Sequence, residues 1–239
     1  MTTSWHIPQG VKIAFSTRHG GVSKAPYGSL NLGLHVGDAQ QDVLANRALI
    51  SERLILPSSP FWLEQVHGTK VVEADNQRRV CGDGSYTRQR QQVCVVMTAD
   101  CLPVLICDRQ GKQVAAIHAG WRGLCDGVIE ATLETFTALH SDLIAYLGPA
   151  IGPEAFEVGE DVRQAFMLLH HETSAFFTLT ESDGKYLADL QGLAKYRLQL
   201  AGVRQVYQTH ACTYNNEADY FSYRRDGITG RMASFIWLT

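Results

Sequence analysis

At 239 residues the chain is long enough for one well-packed domain. With 45% hydrophobic and 19% charged residues it is ordinarily globular, which excludes a disordered or low-complexity protein. A formal charge of −3, with both signs interspersed, argues against a broad nucleic-acid or membrane-surface footprint.

The N-terminal residues lack a basic segment followed by an apolar one, so no secretory signal is expected. No apolar run approaches the roughly 20 residues needed to span a bilayer. Residues 12–17 read as a strand that runs into a turn-rich loop, RHGGVSKAPYGSLNLGLHVGD. A loop of that length inside a compact domain is more often functional than idle. Residues 42–56 carry apolar side chains at helical spacing and stop at Pro57. Two short strands are expected at 61–66 and 70–75, with Gly68-Thr69 as their turn, followed by a polar loop over 77–92.

The most apolar stretch comes next: VCVVMTADCLPVLICD, the turn RQGK, and QVAAIHAGW. Runs rich in Val and Ile between turn signals predict buried strands in a hairpin, with 93–98 pairing 113–118 through 109–112. Helices are predicted over 124–139, 161–171 and 186–200, the last ending at Gly202. A strand is expected at LIAYLGPAI, and two more at VYQTHAC and ASFIWL. Helices mixed with hairpins predict an α+β fold with a mixed sheet, and no linker divides residues 1–239.

Six cysteines are present, at positions 81, 94, 101, 107, 125 and 212, with no C-x-x-C pair. They lack the density of a secreted disulfide scaffold, so reduced thiols in a cytoplasmic protein are expected. Among them Cys101 stands out, as do His67 and His118, because each is expected where a strand gives way to a turn beside small residues. Two imidazoles and a thiolate suit zinc, and three protein ligands leave a fourth position open, as in catalytic rather than structural sites. On residue chemistry alone the bland reading competes, since cysteines and strand-end histidines are commonly just core residues. Asp100 and Glu64 suffer a parity objection, because strand neighbours face opposite sides. Asp83 escapes it, although most loop aspartates cap turns. Arg18, Arg122, Arg224, Arg225 and Arg231 are candidate anion clamps.

Taken together, STRHGGVSKAPYGSLNLGLHVGD, QVHG, TADCLPVLICD, AAIHAGWRGL, LGPAIGP with FEVGEDV, and FSYRRDGITGRMASFIWL resemble the YfiH family, the laccase-domain or polyphenol-oxidase-like proteins. The matching segments run from Ser16 to Leu238. The resemblance implies a four-layer α/β/β/α fold, similar to the catalytic domain of cytotoxic necrotizing factor. It implies metal ligands at His67, Cys101 and His118. The implied reactions are phosphorolysis of purine nucleosides (adenosine, inosine, guanosine, methylthioadenosine) to base and ribose 1-phosphate, and deamination of adenosine. One departure is Asp83-Gly84, where the family often has Asp-Ala, which loosens any role carried over to Asp83.

The lead expectation is therefore an enzyme with one zinc ion that binds purine nucleosides and phosphate, with no nucleic-acid polymer and no membrane as partners. Cys101 and His118 are expected at the reaction centre with Asp83 beside them, and Arg18 with the Gly20-Gly21 amides is expected to help hold phosphate. The usual zinc-deaminase signature is absent, so deamination would be an independent solution. Copper is the alternative metal, since a His₂Cys set can hold it. A four-copper laccase, however, needs more histidines than the nine present, in H-x-H pairs that this sequence lacks. A further alternative is a hydrolase in which Cys101 acts as nucleophile and His118 as its base; the resemblance also implies a hydrolysis that edits peptidoglycan precursors.

Overall fold

The computed structural model describes residues 5–75 and 80–239. Strand β1 (Val11–Phe15) leads through a loop over 16–39 to helix α1 (Gln40–Arg53). Short strands β2 (Leu63–Glu64), β3 (Val71–Glu73), β4 (Val80–Cys81) and β5 (Gly84–Thr87) precede the central strands β6 (Val93–Thr98), β7 (Leu102–Asp108) and β8 (Val114–Ala119). Then follow α2 (Trp121–Asp126), α3 (Val128–Leu133), β9 (Leu143–Leu147), β10 (Glu157–Gly159), α4 (Glu160–Leu169), β11 (Phe177–Leu179) and β12 (Lys185–Ala188). The chain closes with α5 (Leu190–Leu200), β13 (Gln205–Gln208), α6 (Tyr223–Asp226) and β14 (Met232–Leu238).

A six-stranded mixed sheet in the order β13-β9-β7-β8-β5-β3 forms the centre, and β1-β14-β6 forms an antiparallel sheet against it. Two small sheets, β10-β12-β11 and β2-β4, complete the described strands. The class is α+β with mixed sheets, as the alternation of helical and strand patterns predicts.

Strand periodicity explains the packing. Along β6, Cys94 and Val96 join Leu105 and Cys107 of β7 in the seam between the two sheets. Their neighbours Val93, Val95 and Met97 point the other way, onto Leu30, Leu32 and Ile50 of α1 and its preceding loop. On β7, Leu102, Val104 and Ile106 face Leu124, Val128, Ile129, Leu193 and Leu198 on α2, α3 and α5. Both strands are thus apolar on both faces, which is why they read as unbroken hydrophobic runs. Each fully buried aliphatic side chain contributes about 1.5–3 kcal/mol.

Five expectations are corrected. Residues 93–98 do not pair with 113–118. The hairpin is β7–β8, with Leu102 opposite Ala119, while β6 pairs antiparallel with β14, Thr98 opposite Met232. The reason lies at Asp100, whose φ of +88° turns the chain between β6 and β7 and sends one apolar run into two sheets. The segments flanking Gly68-Thr69 are not partners either: β2 pairs with β4 and β3 with β5, both parallel. The expected 77–92 loop contains β5, an internal strand of the central sheet, although residues 76–79 lie outside the described ones. The helix expected over 124–139 begins at Trp121, is interrupted at Gly127 (φ +101°) and ends at Leu133. The helix expected from 186 begins at Leu190, capped by Asp189 accepting from the Gly192 amide at 2.8 Å, because residues 185–188 pair as β12.

Candidate metal centre and the family it belongs to

The bend between β6 and β7 brings Cys101 to the end of the β7–β8 hairpin opposite its turn, where His118 lies near the end of β8. His67 arrives on the loop between β2 and β3, in a left-handed backbone conformation (φ +61°) that a non-glycine residue adopts at a cost. Two residues at this site thus hold uncommon backbone angles, and each turns a side chain that an extended strand would misdirect.

His67 Nε2 lies 3.7 Å from Cys101 Sγ. The His67 and His118 rings meet edge to face with centroids 4.7 Å apart. Among the described residues, these three are the one group of three or more His, Cys, Asp or Glu side chains placed to hold a metal ion, their ligand atoms all within 4.8 Å of one another. Tetrahedral coordination at roughly 2.0–2.3 Å sets ligand atoms about 3.3–3.8 Å apart. The His67–Cys101 separation of 3.7 Å lies in that range, and two imidazoles with a thiolate are a donor set that suits a zinc-sized ion.

Asp83 organises this arrangement from behind. Its carboxylate is wholly buried and accepts from the backbone amides of Val66 (3.2 Å), His67 (2.9 Å) and Gly68 (2.7 Å). The same group lies 2.8 Å from His118 Nδ1, and its backbone carbonyl accepts from the His118 amide at 2.7 Å. One side chain thus fixes the His67 loop and the orientation of His118, leaving His118 Nε2 to face Cys101. Burial by itself would raise the Asp83 pKa, but the hydrogen bonds from His118, Gly68 and His67 hold it below the ordinary carboxylate value.

The thiol and imidazole shift each other in the same way. Burial opposes ionisation of Cys101, yet the positive charge and hydrogen bond of His118, with His67 next, bring its pKa below that of a free thiol. His118 is raised despite burial by Cys101 and Asp83. Each group thus favours the charged form of the other, and a metal taking the place of the imidazolium proton would be held by the same thiolate.

Gly120 closes the far side. A Cβ there would sit 2.8 Å from His67 Cδ2 and 3.2 Å from Cys101 Sγ, so only glycine fits beside both ligands.

The trio opens into a cavity of about 370 Å³, lined also by His35, Gln65, Met97, Thr98, Ala99, Tyr223 and Arg231. Gln65 is committed to the strand end, donating to the Met97 carbonyl at 2.8 Å and accepting from its amide at 2.7 Å. His35 stands at the cavity rim with its residue surface largely open, and partial desolvation of its ring, followed by the positive charges of Arg231 and Arg47, lowers its pKa. A second hollow of about 360 Å³, lined by Leu34, Arg47, Trp62, Leu63 and Glu64, shares His35 and Met97 with the first.

The other sequence candidates are placed elsewhere. Asp100 does follow a bend, but its oxygens accept from Thr213 Oγ1 (2.7 Å) and the Arg224 amide (2.7 Å). Arg18 lies outside the cavity. It donates to the carbonyls of Gly28 (3.1 Å) and Glu217 (2.9 Å) and lies over the Phe221 ring, while the Gly21 amide donates to Ser29 Oγ. Arg224 and Arg225 bind backbone carbonyls, and Arg122 lies over its neighbour Trp121. Of the five arginines, Arg231 is the one on the cavity wall. His35 and Gln65 were not foreseen, and their only sequence signal is position: a histidine in the long glycine-rich loop and a glutamine two residues before His67.

The sequence model of a family described as multi-copper polyphenol oxidoreductase laccase matches residues 12–239. The chain belongs to this family. Purine nucleoside phosphorylase YfiH of Escherichia coli (strain K12) is 52% identical over 236 residues, covering 98% of this chain and 96% of that protein. A crystal structure of a Neisseria meningitidis protein superposes with a TM-score of 0.95 at 47% identity, covering 98% of this chain and 97% of the other. The crystal structure of Bacillus licheniformis YfiH gives a TM-score of 0.90 at 30% identity, covering 96% and 93%. The YfiH resemblance read from the motifs is thereby established.

Proposed function

We propose that this protein is a zinc-dependent purine nucleoside phosphorylase that also deaminates adenosine at the same centre. The observation that carries the reading is the His67–Cys101–His118 trio, opening into a cavity large enough for a small ligand. The name of the Escherichia coli relative, at 52% identity over nearly the whole chain, supports the reaction class. A bound zinc ion would supply a Lewis-acid centre and an activated water for chemistry at the substrate.

The chain's own residues have distinct parts. His67, Cys101 and His118 hold the ion, and Asp83 presents His118 with its proton on Nδ1 so that Nε2 is free to ligate. His35, Tyr223 and Arg231 bring polar groups into the cavity that can orient a sugar, a base or phosphate.

The family's descriptive name favours a copper reading, and a His₂Cys set is a copper donor set. Multinuclear copper needs further ligand groups, and among the described residues the trio stands alone. An intense visible thiolate-to-copper band at full turnover would favour the copper reading over zinc.

Incubating purified protein with adenosine, with and without phosphate, beside a Cys101→Ala control tests the proposal. Adenine and ribose 1-phosphate should form only with phosphate and only in the intact protein, and inosine should form without phosphate. Metal-loaded protein that yields neither product would refute the reading and leave a Cys101-dependent hydrolase, such as one editing peptidoglycan precursors, to be tried.

A further inference from the structure

Phosphorolysis needs an anion beside the reaction centre, and Arg18 is engaged elsewhere. Arg231 sits where β14 begins, its backbone amide held by Asn31 Oδ1 at 2.9 Å. Its Nη1 donates to the carbonyls of Thr229 and Gly230, both at 3.0 Å, which fixes the guanidinium plane. Its Nε and Nη2 have no protein hydrogen-bond partner among the described residues, although the residue lines the cavity that holds the trio. A guanidinium anchored on one edge and open on the other is a preorganised fork for an oxyanion.

The surroundings point the same way. Among the described residues no aspartate or glutamate lines this cavity. Asp100, the carboxylate whose field reaches Arg231, already accepts from Thr213 and the Arg224 amide. His35 lines the same cavity, and Arg47 borders the adjoining hollow that shares His35. Arg231 and His35 thus share the cavity with His67, Cys101 and His118, and Arg47 stands in the hollow beside it.

We propose that Arg231, with His35 at the rim, forms the subsite that binds the phosphate co-substrate. The inference rests on the phosphorylase reading for its biological meaning, but phosphate binding can be measured without turnover. Inorganic phosphate is titrated calorimetrically into zinc-loaded protein and into Arg231→Gln, His35→Ala and Arg18→Gln variants. The KM values for phosphate and for nucleoside are measured in parallel.

Arg231→Gln should weaken phosphate binding at least tenfold and raise the phosphate KM by a similar factor, with little change in the nucleoside KM. His35→Ala, a change at an exposed rim position that leaves folding intact, should weaken it several-fold. Arg18→Gln should leave phosphate affinity unchanged. Phosphate bound by the parent chain and lost in Arg231→Gln, without nucleoside turnover in either, would support the subsite while refuting the phosphorylase reading. Two results would overturn the subsite: no phosphate binding at millimolar concentration, or affinity lost in Arg18→Gln and kept in a folded Arg231→Gln.

Discussion

Asp83 shows how much of the centre depends on a side chain that touches no metal. Four hydrogen-bond donors converge on one buried carboxylate, three from the His67 loop and one from His118. In Asp83→Asn the amide nitrogen replaces one acceptor oxygen and confronts N–H groups that also donate. Partners of this kind typically contribute 10–100-fold in metal affinity. Competition with a chromophoric chelator should therefore show zinc affinity reduced by about that factor, with the chain still folded. Unchanged affinity would mean that His118 is oriented by its strand alone. At this scale the sequence was informative about identity but not about role. The glycines beside His67 and His118 drew attention to them as candidate ligands, whereas the Asp83 partnership joins residues 35 positions apart across the antiparallel β5–β8 pair, which local pattern does not encode. Arg18, a basic residue in the same glycine-rich loop, donates to the Gly28 and Glu217 carbonyls outside the cavity that holds the trio, a placement local pattern does not encode.

At the scale of elements, β6 and β7 were legible as buried strands but not as members of different sheets. Composition reports burial, whereas pairing was decided by the turn at Asp100, a positive φ at a non-glycine residue. Helix α1 was legible because its apolar spacing and the proline beyond it are both local signals. Strand β5 was not, since GSYT is short and polar yet sits between β3 and β8. The seam between the sheets has a measurable signature. Cys94 on β6 and Cys107 on β7 are fully buried, and burial pushes both thiols up to about 12. An acid whose pKa is raised by folding is stabilised in its neutral form, so it favours the native state less as the unfolded thiol begins to ionise. Stability should then fall between about pH 9 and pH 12, by up to roughly 1.4 kcal/mol per pH unit for each thiol. Denaturant unfolding at pH 7.5 and pH 10 should show a smaller loss in Cys94→Ala than in the parent chain. Identical losses would place these thiols in contact with water.

For the whole molecule, the two sheets and their covering helices meet in three large apolar clusters, and the candidate metal ligands lie where the central sheet meets its loops. Strand β8 carries His118 and Cys101 stands just before β7, while His67 comes from a loop pinned by Asp83. The motifs made the family legible over almost the whole chain, and the matching family model and close relatives bear that out. The cavity walls were not legible, because residues 35, 65, 97, 223 and 231 come from the 16–39 loop, the segment before His67, β6, α6 and the start of β14, which meet only in the folded chain.

The most direct test of the mononuclear site is a zinc titration of metal-stripped protein, with bound metal and adenosine phosphorolysis measured on the same samples. Turnover should rise linearly and saturate at one zinc per chain, with neither binding nor turnover in Cys101→Ala. Full turnover in protein holding no metal, or saturation only at three or four ions per chain, would contradict a single ion held by His67, Cys101 and His118.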